Sequence, residues 1–353
     1  MAASLKFLDT TAFLAIRIEK NRRKKMASKI RWGILGCGSI AGTFAAALSF
    51  IKDAELVAVG SRSTEKAKEF GDKFNIRRRH GSYQKLADDK DVDIIYVATP
   101  HNLHCENSIM CLEAGKAVLC EKAFAANAQQ AKAMIDCART KKLFLMEAMW
   151  TRFLPIMGKV RELLAEEAIG DVRMLAADFG FRCADGSEKT RLLNPDLAGG
   201  SLLDVGIYPL SLSSMLFGSS GKIHSDAHLG KTGVDEQAAV ILSFDKGRLA
   251  VMYAAVCTAS PREATIMGTK GMLRLHCPCW SGNKLTLIRP DKDDQFIELP
   301  SHSNGFVYEI EATHQALLKG LLETDVMPLD ESLAIMQTMD AIRKQWGLKY
   351  PFE

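Results

Sequence analysis

The stretch Ile30-Arg-Trp-Gly-Ile-Leu-Gly-Cys-Gly-Ser-Ile-Ala-Gly42 limits what this chain can fold into more than any other. It joins a short apolar run to Gly36-x-Gly38-x-x-Ala41. That order predicts a buried strand, a tight turn and the start of a helix. Small residues suit a place where a pyrophosphate must approach the backbone closely, and the amides and partial positive charge of a helix N-terminus favour an anion there. Gly36, Cys37, Gly38, Ser39 and Ile40 would then form the phosphate loop. An ordinary glycine turn has the same spacing, so the later segments must decide.

Those segments alternate. Residues 54–60 read as a second buried strand, followed by a helix that Ser63 or Thr64 can cap and that runs to about residue 74. A short helix near residues 82–86 precedes a third strand at 91–98. A helix over 104–114, closed by Gly115, leads to a fourth strand at 117–120, and a helix capped by Asn127 leads to a fifth at 143–148. Strands and helices alternating at this spacing imply right-handed crossovers and a parallel sheet, which binds ligands at the C-terminal ends of its strands. Thr99, Pro100, His101 and Asn102 fall at such an end, and so do Glu121 and Lys122.

The end of the second strand speaks to the choice of cofactor. Where an NAD-specific fold carries an acid for the ribose hydroxyls, this chain has Gly60-Ser61-Arg62. A hydroxyl and a guanidinium can bind a 2′-phosphate that an acid would repel, so NADP(H) is expected; a solvated Arg62 is the alternative. No metal is expected. His101, His104 and Cys105 lack a completing carboxylate, and Cys277-Pro-Cys279 lacks a second ligand pair.

A length of 353 residues implies two domains. The boundaries expected are an N-terminal extension over 1–28, a dinucleotide-binding domain over 29–150 and a second domain over 151–353. In the second, a helix over 153–165 precedes strands at 172–181, 237–244, 248–258, 263–268 and 272–276, separated by turn pairs. This predicts a mostly antiparallel sheet with helices. Helices are also expected over 307–319 and from about residue 330 to Trp346, as packing elements.

Charge narrows the partners. Residues 1–25 carry a local +5, leaving −1 for the remainder, so the body has no basic bias toward nucleic acid. No stretch reaches the ~18 uninterrupted apolar residues of a membrane span. Nine scattered cysteines read as reduced thiols of a cytoplasmic protein. The extension places its charge after its apolar segment, the reverse of a secretory signal. A mitochondrial presequence stays open, although Asp9 and Glu19 are unusual in one, and Met26 offers an alternative start.

The succession of Gly36-x-Gly38-x-x-Ala41, Thr99-Pro100-His101, Cys120-Glu121-Lys122 and Met146-Glu-Ala-Met-Trp-Thr-Arg-Phe153 resembles the glucose–fructose oxidoreductase/inositol dehydrogenase (Gfo/Idh/MocA) family from residue 29 to about residue 350. The last string is most similar to the branch that oxidises trans-dihydrodiols and D-xylose with NADP. The resemblance implies an α/β fold: an N-terminal Rossmann domain and a C-terminal α+β domain whose mostly antiparallel open sheet serves substrate binding and homodimer formation. It places Asp204 and Tyr208, from Gly199-Gly-Ser-Leu-Leu-Asp-Val-Gly-Ile-Tyr208, opposite Lys122; on their own, the two read equally as a helix residue and a core aromatic sharing one helical face. Tyr208 is then the expected general base, with Lys122 orienting it and lowering its pKa. Trp150, Arg152 and Phe153 are expected to line a pocket for a diol or sugar, with interdomain packing the alternative for Phe153. Ala123 stands where the family usually has Pro after Glu-Lys, which leaves the local backbone geometry open. Two other readings are a related sugar or biliverdin-type reductase and a non-catalytic NADP-binding regulator.

Overall fold

The computed structural model describes residues 29–184, 186–187 and 190–353; the readings made for residues 1–28 lie outside them. Its first sheet has six parallel strands in the order β3-β2-β1-β4-β5-β6. They are β1 (Ile30–Leu35), β2 (Ala54–Gly60), β3 (Arg78–His80), β4 (Ile94–Val97), β5 (Ala117–Glu121) and β6 (Leu145–Ala148). Strands β4, β5 and β6 are buried throughout, as a parallel sheet covered on both faces requires. Strand β3 was not expected: Arg-Arg-His offers no apolar signal, and it is held as an edge by its register with Ala58, Val59 and Gly60.

Five helices connect these strands: α1 (Ser39–Leu48), α2 (Thr64–Lys73), α3 (Tyr83–Ala87), α4 (His104–Glu113) and α5 (Ala128–Lys141). Ser63 caps α2 by accepting from the Lys66 amide at 3.2 Å, and Asn127 caps α5 through the Gln130 amide at 2.9 Å. Each such cap contributes about 1 kcal/mol. Chain direction across the sheet reverses between β1 and β4, which opens a crevice at their C-terminal ends.

The second sheet has eight strands: β7 (Val172–Gly180), β8 (Lys222–Leu229), β9 (Asp235–Ser243), β10 (Leu249–Ala255), β11 (Ala264–Gly268), β12 (Met272–Leu275), β13 (Lys284–Arg289) and β14 (Lys292–Glu298). Their order is β14-β13-β12-β11-β7-β10-β9-β8, and every neighbouring pair is antiparallel except β7 with β10. Leu175, Ala177 and Phe179 point into the interior. On the other face Met174, Val251, Ile241 and Tyr253 are exposed, with Val251 in register between Ala176 and Ile241.

Among the described residues four further α-helices follow: α6 (Pro155–Ala165), α7 (Ile207–Phe217), α8 (Phe306–Lys319) and α9 (Leu329–Trp346). The helix expected from residue 153 begins later. A 3₁₀ turn spans Trp150–Phe153, and Pro155 then opens α6 at a position where its missing N–H costs nothing. Helix α8 returns to the first sheet, where His314 stacks on Trp32 and accepts its indole N–H at 2.9 Å. Burial lowers the His314 pKa to about 4, which keeps the accepting lone pair free. The run Pro195–Phe217 has the length and mean hydropathy of a membrane span, but 67% of its apolar window is buried inside the fold.

Candidate active site

At the first glycine the backbone itself excludes a side chain. Gly36 has φ +111°, and a Cβ there would stand 2.7 Å from the Ala98 carbonyl oxygen. Gly38 is the opposite case: a Cβ would meet no atom of the protein within 4 Å, so packing gives no reason for glycine there. It caps α1 without a side-chain bond, leaving an open cradle at the N-terminus formed by Ser39 and Ile40. Burial raises the Cys37 thiol pKa, and the Ser61 hydroxyl across this turn partly offsets it. Arg62 is exposed just beyond β2, close enough to Tyr83 to favour its phenolate, and among the described residues no ion pair engages it. Thr99, Pro100 and Asn102 follow β4, and the buried Asn102 Oδ1 has no hydrogen-bond partner. These features fit a phosphorylated dinucleotide.

Two expected cofactor residues are committed to the protein. His101 Nδ1 contacts the Ala198 carbonyl at 3.1 Å and ties this end of the crevice to the second domain. Glu121 accepts from the Tyr96 hydroxyl through one oxygen and from the Lys122 amide, at 3.2 Å, through the other. His104, beside His101, lies between the carbonyls of Ala123 (2.8 Å) and Thr99 (2.7 Å). Two carbonyls call for two N–H donors, yet burial and the nearby Lys122 and Arg191 lower the pKa to about 4. With that desolvation dominant, the ring is neutral and donates to one of them.

Lys122 stands at the centre. Its Nζ donates to the Asp204 carbonyl at 2.7 Å, lies 3.5 Å from Asp204 Oδ1 and sits 5.0 Å from the Tyr208 ring centroid. Asp204 and Tyr208 do not share an ordinary α-helical face, as the spacing had suggested. Leu202–Gly206 is a π-helical turn, and Tyr208 belongs to the first turn of α7 beyond it. At the i→i+5 spacing of that turn stands Pro209, which has no N–H to offer, and the Asp204 carbonyl accepts from Lys122 instead. Behind this turn, the Tyr350 hydroxyl donates to the Gly199 carbonyl at 2.8 Å.

Burial opposes ionisation of Asp204, but Lys122, Arg191 and His101 outweigh it and hold the carboxyl well below the usual range. Burial also works against the Lys122 charge, which Tyr208, Asp204 and Glu121 more than restore. For Tyr208 the balance differs from the sequence expectation. Lys122 and the Trp150 indole do favour the phenolate, but burial is the larger influence and the net pKa is raised.

Trp150 is part of the cluster: its Nε1 donates to the Tyr208 hydroxyl at 3.3 Å, and its ring stacks on Phe306 at 5.1 Å. Phe153 is half-buried against the core. Arg152 lines the pocket as expected, in a role that the sequence did not suggest. Its guanidinium borders the pocket beside Tyr208, but it is 3% exposed and bonds Ser211 Oγ at 2.8 Å, the Ser211 carbonyl at 2.6 Å and the Glu331 carboxylate. A buried cation requires such partners, and they make Arg152 a clamp between elements rather than an open recognition group.

Three residues that sequence reasoning missed complete the site. Phe179 packs 5.3 Å from the Tyr208 ring and stacks on Trp280 at 3.4 Å, giving the pocket an aromatic wall. Arg191 donates to Asp204 Oδ1 at 3.0 Å. The alternating apolar pattern around Phe179 was a weak signal; Trp280 and Arg191 sit in irregular segments and gave none.

The sequence model described as an oxidoreductase family with an NAD-binding Rossmann fold matches residues 30–149, and that of the GFO/IDH/MocA C-terminal domain matches residues 157–274. The chain belongs to the Gfo/Idh/MocA family. Among its relatives, trans-1,2-dihydrobenzene-1,2-diol dehydrogenase of Xenopus tropicalis is 38% identical over 92% of this chain and 100% of its own. The human enzyme of that name is 36% identical over 91% and 98%. Among solved structures, a 3-ketoreductase from Actinomadura kijaniata in complex with NADP and TDP-benzene superposes with a TM-score of 0.81 at 28% identity, covering 90% of this chain and 98% of that one. Aldose-aldose oxidoreductase from Caulobacter crescentus, complexed with glycerol, superposes with a TM-score of 0.82 at 26% identity and the same coverages. At the position where the Gfo/Idh/MocA family usually has proline, the Lys122–Ala123 peptide is cis with alanine in place.

Proposed function

We propose that this chain is an NADP-dependent dehydrogenase that interconverts a CH–OH group and a carbonyl on a trans-dihydrodiol or an aldopentose such as D-xylose. The observation that carries the reading is the convergence of Lys122, Asp204 and Tyr208 at the C-terminal ends of the first sheet's strands, beside an aromatic pocket. Gly36, Cys37, Gly38, Ser39 and Ile40 would hold the pyrophosphate, Ser61 and Arg62 the 2′-phosphate, and Thr99, Pro100 and Asn102 would border the nicotinamide half. When bound, NADP supplies the hydride acceptor or donor.

Tyr208 exchanges the proton of the reacting hydroxyl. Its raised pKa keeps the phenol protonated at neutral pH, the form that donates to a carbonyl oxygen during reduction; oxidation calls on the phenolate, which Lys122 stabilises. Asp204 fixes the lysine, and the Trp150 indole fixes the phenol oxygen. Phe179 and Trp280, stacked on each other, give the pocket an apolar aromatic wall. The dihydrodiol dehydrogenase relatives and these aromatic rings favour the diol over the sugar.

A panel of trans-dihydrodiols and aldopentoses with NADP, followed at the absorbance of reduced cofactor, tests the reading. Turnover of a dihydrodiol supports it, and binding of NADP without turnover of any member would overturn it. The homodimer belongs to the same reading. Met174, Ile241, Val251 and Tyr253 give the second sheet an exposed apolar face, and light scattering that finds a monomer would remove that part. A cytoplasmic location fits the nine unpaired cysteines, and imaging of the tagged full chain tests it.

A further inference from the structure

Cys183 and Cys257 follow β7 and β10, the one parallel pair of the second sheet. The chain holds their backbones together beyond those strands: Arg182 bridges Cys257, and the Cys183 amide donates to the Val256 carbonyl at 2.9 Å. Seventy-four residues apart in sequence, the two sulfurs lie 3.3 Å from each other. A disulfide spans about 2.05 Å, so closure needs a movement of roughly 1.2 Å, within reach of small side-chain rotations. Among the described residues, no other pair of thiols is in hydrogen-bond contact.

We propose that Cys183 and Cys257 form a reversibly oxidisable pair, a modification site that takes a hydroperoxide as its two-electron oxidant. The surroundings divide the work. Both thiols border a surface pocket with Arg182, Gly186 and Lys231, which admits a small oxidant. Burial, the neighbouring Cys183 and the Glu236 carboxylate hold the Cys257 thiol protonated, with its pKa pushed up to about 12. We place the first attack on Cys183, the order that the two serine variants below test. Its thiolate displaces hydroxide from the peroxide, the O–O bond breaks, and a sulfenic acid forms. Cys257 then attacks that sulfur while its proton passes, by way of the nearby Glu236 carboxylate, to the departing oxygen; the S–O bond breaks and that second oxygen leaves as water. In sum, two thiols lose two electrons and two protons, and one peroxide becomes two waters. The product ties the start of the segment that carries Arg191 to the end of β10.

The test is on the full chain. Reduced protein is treated with one equivalent of hydrogen peroxide, its free thiols are alkylated, and it is digested without reductant for mass spectrometry. The expected result is a linked peptide pair containing Cys183 and Cys257, lighter by two hydrogens, abolished by dithiothreitol, with the other cysteines alkylated. Cys257→Ser should leave Cys183 as a sulfenic acid that a cyclic diketone captures, whereas Cys183→Ser should give neither product. Alkylation of both Cys183 and Cys257 after oxidation, or oxidation settling on the exposed Cys277, would overturn the proposal. The wild-type alkylation pattern decides it even if a variant fails to fold.

Discussion

Lys122 meets Tyr208 through the face of the ring, 5.0 Å from its centroid, and keeps its hydrogen bonds for Asp204. The lysine therefore acts on the phenol through charge rather than as a donor to its oxygen. Lys122→Met should raise the Tyr208 pKa further and move the acid limb of the oxidation pH profile upward by roughly one to two units. Steady-state kcat/KM across pH measures it, with an unmoved limb counting against the arrangement.

Tyr208→Phe removes the exchanging proton but leaves the ring against Phe179. Turnover should fall about 10²- to 10⁴-fold. NADP affinity and the melting temperature should change little, because the lost contact is a single 3.3 Å bond from Trp150. Kinetics and cofactor titration on one preparation separate these outcomes.

Asp204 gives the site a pH-dependent stability. Its folded pKa lies below that of an unfolded carboxyl, so its contribution is present above about pH 4 and is lost as pH falls through the folded value. Asp204→Asn leaves Lys122 and Arg191 short of a partner and should cost about 3 kcal/mol near neutrality. Urea unfolding should show the gap between wild type and variant narrowing below that pH; a constant gap would contradict the ion-pair account.

The two glycines of the phosphate turn should fail differently. Gly36→Ala places a methyl 2.7 Å from the Ala98 carbonyl at positive φ, so it should destabilise the fold by about 1–3 kcal/mol. Gly38→Ala enters open space and should fold normally while losing cofactor affinity. Thermal melts with and without NADP distinguish the two.

Arg62 is the residue expected to tell the two cofactors apart. Arg62→Ala should weaken NADP binding on the order of tenfold to a hundredfold, the worth of a lost charge-assisted bond, and leave NAD binding unaltered. Competitive titration of both cofactors reads the ratio directly.

The first sheet was legible wherever strands are buried on both faces, because β4 is a continuous apolar run and β5 and β6 depart from one only at Glu121 and Glu147. Strands that face water escaped. Lys222–Leu229 alternates exposed and half-buried residues under a mixed polar sequence, and in Lys292–Glu298 only Ile297 is even half-buried. Lys122 and Tyr208 could be named from their motifs, but how they meet could not. The Asp204 carbonyl that Lys122 binds belongs to a π turn that residue spacing does not announce, and the raised phenol pKa depends on burial that spacing does not encode. The contact of Phe179 with Trp280 joins residues a hundred positions apart, beyond any local pattern.

The hydrogen bond from Tyr350 to the Gly199 carbonyl means that the tail braces the catalytic turn from behind. Glu353 locks that brace, accepting from Arg343, Asn127 and the Tyr350 amide. Shortening the protein by residues 350–353 would thus act as a remote lesion of the Asp204 turn, so a trimmed variant made for convenience would report on a loosened site rather than on the native one.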